Sequence, residues 1–240
     1  NATLVVVGDV TPDEVKALAQ RYFGPIARRA VPPAKIPLEL AEPGERQITL
    51  KVQTQLPALM LAFNVPSIAT TEDKRSVNAL RLISALLDGG YSGRIPTQLE
   101  RGEELVSGGS SSYDAYTRGD SLFTLSATPK TQKQKTMAQA EAGLWRLLEQ
   151  LKTTAPSAEE LERVRAQVIA GLVYERDSIT SQATTIGQLE TVGLSWKLID
   201  QELAELEAVT PADIQQAAST FFTRDRLSVA HVLPEEKRNE

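Results

Sequence analysis

The sequence predicts an α+β fold in which an antiparallel sheet packs on helices. Three features carry that prediction. Ile48, Leu50 and Val52 alternate with Thr49, Lys51 and Gln53, and a continuous apolar run covers Ala58 to Val65; both patterns are those of strands. Apolar residues at helical spacing recur through the second half of the chain. After the Pro-rich stretch ending near Arg46, strands and helices come in blocks rather than in strict alternation, the order of a sheet covered by a helical layer.

The elements follow in order. Thr3–Val7 is almost wholly apolar and reads as a buried strand that Gly8-Asp9 ends; with no element before it, it reads as part of something longer. Thr11 caps a helix with Pro12 at its first position and Glu14 completing a capping box. Val15, Leu18, Ala19 and Tyr22 give that helix an apolar stripe, and Gly24-Pro25 stops it. From Ile26 to Arg46 the chain carries Pro32, Pro33, Pro37 and Pro43 among charges, which marks an extended linker and a domain boundary. The alternating segment at 48–52 then reads as a half-buried strand. A helix from about Thr71 to Asp88 presents Val77, Leu80, Ile83 and Leu87 and ends at Gly89-Gly90. A short helix at Arg94–Arg101 leads into strands at Leu105–Tyr116 and Ser121–Thr128. Helices follow near 131–152, 157–176, 178–193 and 196–207, with Ser157-x-x-Glu160 as a second capping box. Val209-Thr210-Pro211 opens the last helix as Val10-Thr11-Pro12 opens the first, and Leu227–Val232 forms a closing strand comparable to Leu4–Val7. The repetition fits either a common helix start used twice or a duplicated protein.

Composition narrows the function. Of 240 residues, 26 are basic and 31 acidic, and the resulting charge of −5 argues against a nucleic-acid partner. No stretch approaches the roughly 18 uninterrupted apolar residues of a membrane span. Cysteine is absent, which removes disulfides and thiol chemistry, and there is 1 histidine, so no histidine-rich zinc site can be assembled from this chain. That residue, His231, alternates with Leu227, Val229 and Leu233 and reads as structural. A Ser-His-Asp hydrolase would need an exposed serine on a tight turn, and no G-x-S-x-G occurs. Gly108-Gly109-Ser110-Ser111-Ser112 matches neither phosphate-binding glycine pattern and reads as a strand that another backbone approaches closely. Glu159, Glu160 and Glu162 with Arg163 and Arg165 read as a solvated helix face. Trp145 and Trp196, set among leucines, read as core or as surface buried against another body.

Several stretches, in this order, resemble the pitrilysin/insulinase family of zinc metallopeptidases, which includes the mitochondrial processing peptidase subunits. They are Asn1–Val10 continuing through Tyr22-Phe23-Gly24-Pro25-Ile26, the Pro-rich connector, Leu59–Pro66, and Gly90-Tyr91-Ser92-Gly93-Arg94 through Leu99 to Leu105. Ser110-Ser111-Ser112-Tyr113 and the Glu-rich helix Ser157–Gln167 complete the set. The resemblance implies the LuxS/MPP-like metallohydrolase fold, two similar domains or subunits that close on an unfolded peptide, and it assigns this chain to the second half. Residues 1–30 would then be the closing strand and helix of a truncated first domain, 31–46 the linker, and 47–240 the second domain. The family's H-x-x-E-H motif, whose histidines hold zinc with a distal Glu, is missing here. Zinc is therefore expected in the partner half and none in this chain, which alone should be inactive. The parent or complex would be a zinc metalloendopeptidase.

The resemblance also implies an Arg and, seven residues on, a Tyr from this half that stabilise the developing oxyanion. Leu99 and Leu105 keep the register of that segment, but Glu100 stands at the Arg position and Ser107 at the Tyr position. With a one-residue slip, Arg101 becomes the arginine and Gly108 replaces the Tyr. Arg94, Arg101, Ser107 and Tyr113 are the candidate substrate-binding residues. In the resembling family a strand such as Val106–Tyr113 lies near the peptide cleft, where substrate can add as a further strand. The partners implied are a catalytic zinc-peptidase half or subunit, in a homo- or heterodimer, and an unfolded or extended peptide. The alternative is a proteolytically inactive structural or assembly subunit of the same family, which Glu100 and Ser107 favour. Family habit points to the periplasm and leaves the cytoplasm open.

Overall fold

The computed structural model describes residues 2–32 and 40–235. Its elements run α1 (Pro12–Phe23), β1 (Arg46–Val52), β2 (Ala58–Val65), α2 (Lys74–Asp88), a π-helical turn (Ile95–Gly102), β3 (Val106–Tyr113) and β4 (Ser121–Pro129). Then come α3 (Met137–Thr153), α4 (Ala158–Glu175), α5 (Ile179–Val192), α6 (Leu198–Glu207), α7 (Pro211–Phe221) and β5 (Leu227–Pro234). The five strands form one sheet in the order β1-β5-β2-β4-β3. It is antiparallel except at one edge, where β1 pairs parallel with β5, Ile48 opposite Ala230 and Leu50 opposite Val232.

Helices cover one face of this sheet. Leu61, Phe63, Phe123 and Leu125 point into that layer, where Phe63 and Phe123 both meet Phe222 edge-on, at centroid distances of 5.2 and 4.8 Å. Leu80, Ile83, Leu86 and Leu87 of α2 and Leu144, Leu147, Leu148 and Leu151 of α3 are buried beneath them, while Val77 of α2 packs with Ile68 and Ala115 in a smaller cluster. Trp145 flanks this core, 5.7 Å from the Phe63 ring with Arg224 over its face, whereas Trp196 remains about half exposed.

Among the described residues no helix covers the opposite face of the sheet, although the Leu40 carbonyl reaches across it to accept from Asn64 Nδ2 at 3.0 Å, and Ala62 and Asn64 are buried there. Alternation puts Ile48, Leu50, Val52, Met60 and Leu122 on it, all exposed. The alternating pattern of β1 predicts a half-buried strand, yet all seven of its residues are exposed. Its apolar set shares a face with Ala230 and Val232, on the side without helices.

The buried strand expected at Thr3–Val7 does not form. Residues 2–7 carry no ladder, and Leu4 and Val6 are 57% and 47% exposed. A strand needs a neighbour for its backbone groups, and here the segment meets a helix side: Val5 lies within van der Waals reach of Gly187 on α5. Helix α1 does form, with the Thr11–Glu14 capping box complete, but it buries none of its residues. Of the linker anticipated at 31–46, residues 33–39 lie outside the described residues, and β1 begins at Arg46.

The later elements follow the expected spans closely. α3 starts at Met137 rather than near 131, because Gln134 adopts a left-handed backbone (φ 58°) after a 3-10 turn and Thr136 makes a fresh capping box with Gln139. The second copy of the Thr-Pro signal is equally real, with Thr210 and Asp213 capping each other at the start of α7.

Candidate functional site

The segment from Asp88 to Tyr113 wraps the free edge of the sheet. Leu99 and Leu105 anchor it: both are buried, the Leu105 N–H donates to the Leu99 carbonyl at 2.8 Å, and α3 offers them Gly143. A Cβ at Gly143 would stand 2.9 Å from Leu105 and 3.1 Å from Leu99. Glu100 leaves this anchor toward β3, where its Oε1 accepts the Gly109 N–H at 3.0 Å. Asp88, the last residue of α2, accepts the Ser111 N–H at 3.3 Å. The glycine at 109 is sterically required, since a Cβ there would come within 2.7 Å of Ile95 Cγ2. The neighbour that approaches most closely is therefore a side chain, while nothing stands within 4 Å of a Cβ at Gly108.

The four candidate residues lie along the same segment, each engaged with a different partner. Arg94 grips Glu160 of α4 through two hydrogen bonds of 2.9 and 2.8 Å. Arg101 stacks over the exposed Tyr91 ring at 3.7 Å and donates to the Tyr91 carbonyl at 2.6 Å. Ser107 is exposed at the start of β3 and donates to the Thr128 carbonyl at 3.3 Å. Tyr113, at the far end of β3, is half-buried against Phe123 and donates its hydroxyl to the Pro66 carbonyl at 2.6 Å. Burial pushes the Tyr113 phenol well above its ordinary value, so it acts as a hydrogen-bond donor.

Glu160 departs from its expected place. Ser157 caps α4 by accepting the Glu160 N–H at 3.1 Å, but the Glu160 carboxylate turns to Arg94 instead of closing the box. The hydrogen bond from Arg94 holds the Glu160 carboxyl below its ordinary range, against the opposing effect of burial. A depressed folded value means that the pair stabilises the chain above the unfolded value of about 4.3. That contribution disappears as pH falls through the folded value. In urea melts at successive pH values, the stability gap between the parent chain and Glu160→Gln should be widest at neutral pH and narrow below about pH 4. A gap that does not change with pH would refute the pairing.

His231 is spent on structure. Its Nε2 lies 2.9 Å from Glu141 on α3, and its Nδ1 lies 3.2 Å from Gln47 on β1. Among the described residues, no three His, Asp or Glu side chains come together in a way that could hold a metal ion. One histidine with one carboxylate does not fit a zinc peptidase centre. The acidic helix face is likewise engaged: Arg165 bridges Glu162 and the Val209 carbonyl, and Arg163 reaches Ser92 at 2.7 Å.

Comparison with known proteins decides the family. The model for the peptidase M16 inactive domain matches residues 1–168. The chain belongs to the peptidase M16 inactive-domain family. Among solved structures, a protease from Helicobacter pylori superposes with a TM-score of 0.84 at 19% identity, covering 95% of this chain and 54% of that one. A peptidase M16 inactive domain from Pseudomonas fluorescens gives a TM-score of 0.74 at 16% identity, covering 97% of this chain and 54% of that one. An inactive peptidase domain from Bordetella parapertussis gives 0.67 at 21% identity, covering 80% of this chain and 97% of that one. At these identities the likeness is one of fold. The chain spans about half the length of the Helicobacter and Pseudomonas proteins. No curated protein matches it.

For an inactive M16 domain, two surfaces stand out. One is the helix-free sheet face, apolar at the β1 end and lined by Ser110, Ser112 and Ser126 at the β3 end. The other is the N-terminal apolar surface of Leu4, Val6, Val10, Leu18, Tyr22, Phe23 and Ile26, all exposed. The sequence pattern marks residues of both surfaces but predicts burial for the first stretch of the second. It does not reveal the pairing of Glu100 with a backbone amide, for which only the unusual carboxylate at that position is a signal.

Proposed function

We propose that this inactive M16 domain is the non-catalytic half of a zinc metallopeptidase, docking against a zinc-bearing half and completing a chamber for extended or unfolded peptide. The observation that carries the reading is the unburied apolar surface at the N-terminus and α1. A helix that buries none of its own residues yet carries an apolar stripe is built to be covered by another body. The helix-free sheet face, with Ile48, Leu50, Met60 and Leu122 exposed, supplies a chamber wall that an extended chain can lie across. The zinc and the water-activating glutamate belong to the other half.

A second reading has its own support. Glu100 and Ser107 bring a carboxylate and a short hydroxyl where an oxyanion-stabilising Arg and Tyr would be expected, which suits a subunit that assembles without taking part in proteolysis. One experiment tests both. The chain is used as bait in extract from its source cells, bound proteins are identified, and the eluate is assayed for cleavage of an unfolded peptide with and without a chelator. Recovery of a protein bearing H-x-x-E-H, with chelator-sensitive cleavage, supports the chamber half. Recovery of partners without cleavage, from an extract that is otherwise active, supports the assembly subunit.

A further inference from the structure

Among the described residues β3 is an end strand of the five-stranded sheet, pairing with β4 on one side only. In an antiparallel ladder, alternate residues turn their backbone groups toward the neighbour and away from it. Gly109 and Ser111 are two residues apart, so their N–H groups share one edge. Both are already bonded, to Glu100 at 3.0 Å and to Asp88 at 3.3 Å. An added strand would need those same two N–H groups to donate to its carbonyls.

Each carboxylate sits where its own element gives it no reason to be. Asp88 is the C-terminal residue of α2, where the helix dipole disfavours negative charge, and the last turn contains no basic residue to offset it. Glu100 projects from a π-helical turn, a geometry that inserts an extra residue and re-aims the side chains beyond it. A register shift between Val106 and Gly108 adds a bulge at the start of the same edge, a further device against strand pairing.

We propose that Glu100 and Asp88 are edge guards: their carboxylates occupy two outward N–H groups at the middle of β3, those of Gly109 and Ser111, and close this part of the edge to strand addition, so that Glu100 determines which surface of the domain an extended peptide can use. A peptide is then left with the helix-free sheet face and excluded from this edge. The inference concerns this chain's own edge and is tested without any partner, so failure of the chamber reading and failure of the guard are separable.

The test uses the full chain, isotope-labelled for amide hydrogen exchange, with a probe heptapeptide of alternating valine and threonine carrying fluorescein. Glu100→Ala should speed exchange at Gly109 at least tenfold, and Asp88→Ala should do the same at Ser111, while Leu61 and Phe63 in the sheet centre stay protected. Glu100→Gln keeps a carbonyl acceptor and should retain most of the Gly109 protection. The double variant Glu100→Ala, Asp88→Ala should bind the heptapeptide at least tenfold more tightly than the parent chain, and new protection should appear at Gly109 and Ser111. The same peptide N-methylated at alternate amides should not bind. Unchanged exchange at Gly109 in Glu100→Ala would overturn the proposal. So would faster exchange with no gain in peptide binding, or a parent chain that takes the peptide at this edge as readily as the double variant.

Discussion

Replacing Glu202 by alanine should cost about 3–5 kcal/mol of folding stability, the usual penalty for stranding one member of a buried ion pair. The Glu202 side chain on α6 is 9% exposed and that of Arg81 on α2 is 13% exposed, with 2.5 Å between them. The same carboxylate oxygen accepts the Tyr116 hydroxyl at 2.7 Å, and Arg81 also donates to Asn78 at 3.2 Å. Burial pushes the Tyr116 phenol above its ordinary value, so it stays a donor that must find an acceptor. Removing Glu202 therefore leaves a guanidinium and a hydroxyl without their shared acceptor at the α2–α6 contact. Glu202→Gln keeps an acceptor and should cost less, about 1–3 kcal/mol. Replacing both partners by apolar residues, Arg81→Met with Glu202→Leu, should recover part of the loss but stay about 1–3 kcal/mol below the parent chain, because the Tyr116 hydroxyl is still left without its acceptor. Urea melts with an unchanged slope provide the measurement. A Glu202→Ala variant as stable as the parent would show that the pair is not holding the two helices together.

This network also shows where sequence patterning stops being informative. β2 was legible to the residue because Ala58–Val65 is apolar almost throughout and bounded by Pro57 and Pro66. Helices α4 and α7 were legible because Ser157 and Thr210-Pro211 mark their starts. The parallel pairing of β1 with β5 was not, since Ile48 and Ala230 are brought together by the whole intervening chain and no local signal encodes it. Thr3–Val7 has the composition of a buried strand, but strand formation depends on a neighbouring edge, which composition cannot supply. The resemblance marks the stretch around Glu100 as the unusual one. Its role lay beyond reach because the partner is a backbone amide, present at nearly every residue and therefore invisible in sequence. Arg94 and Tyr113 drew attention as polar groups in a recognisable stretch; in the structure they tie that stretch to α4 and to the end of β2.

The N-terminal surface allows a sharper separation of docking from folding. Leu18 and Tyr22 lie one turn apart on α1 and are 53% and 63% exposed. Substituting either removes little buried area, so Leu18→Asp with Tyr22→Asp should leave stability within about 0.5 kcal/mol of the parent chain. If this face seats against the zinc-bearing half, the same pair of changes places two carboxylates in a desolvated apolar contact. The expected loss is then about 2–4 kcal/mol of binding, roughly thirtyfold or more in affinity, because large apolar side chains at an interface centre dominate its energy. Two charge changes at polar positions of the same helix, Lys16→Glu with Gln20→Glu, should change affinity by less than threefold. The comparison is made by titrating each variant against the captured zinc-bearing half, with urea melts of the same preparations. Equal affinity for all three chains would remove α1 from the interface and leave its apolar stripe without the role argued for it. A loss confined to Leu18→Asp with Tyr22→Asp, at unchanged stability, would mean that this helix folds with one body and functions against another.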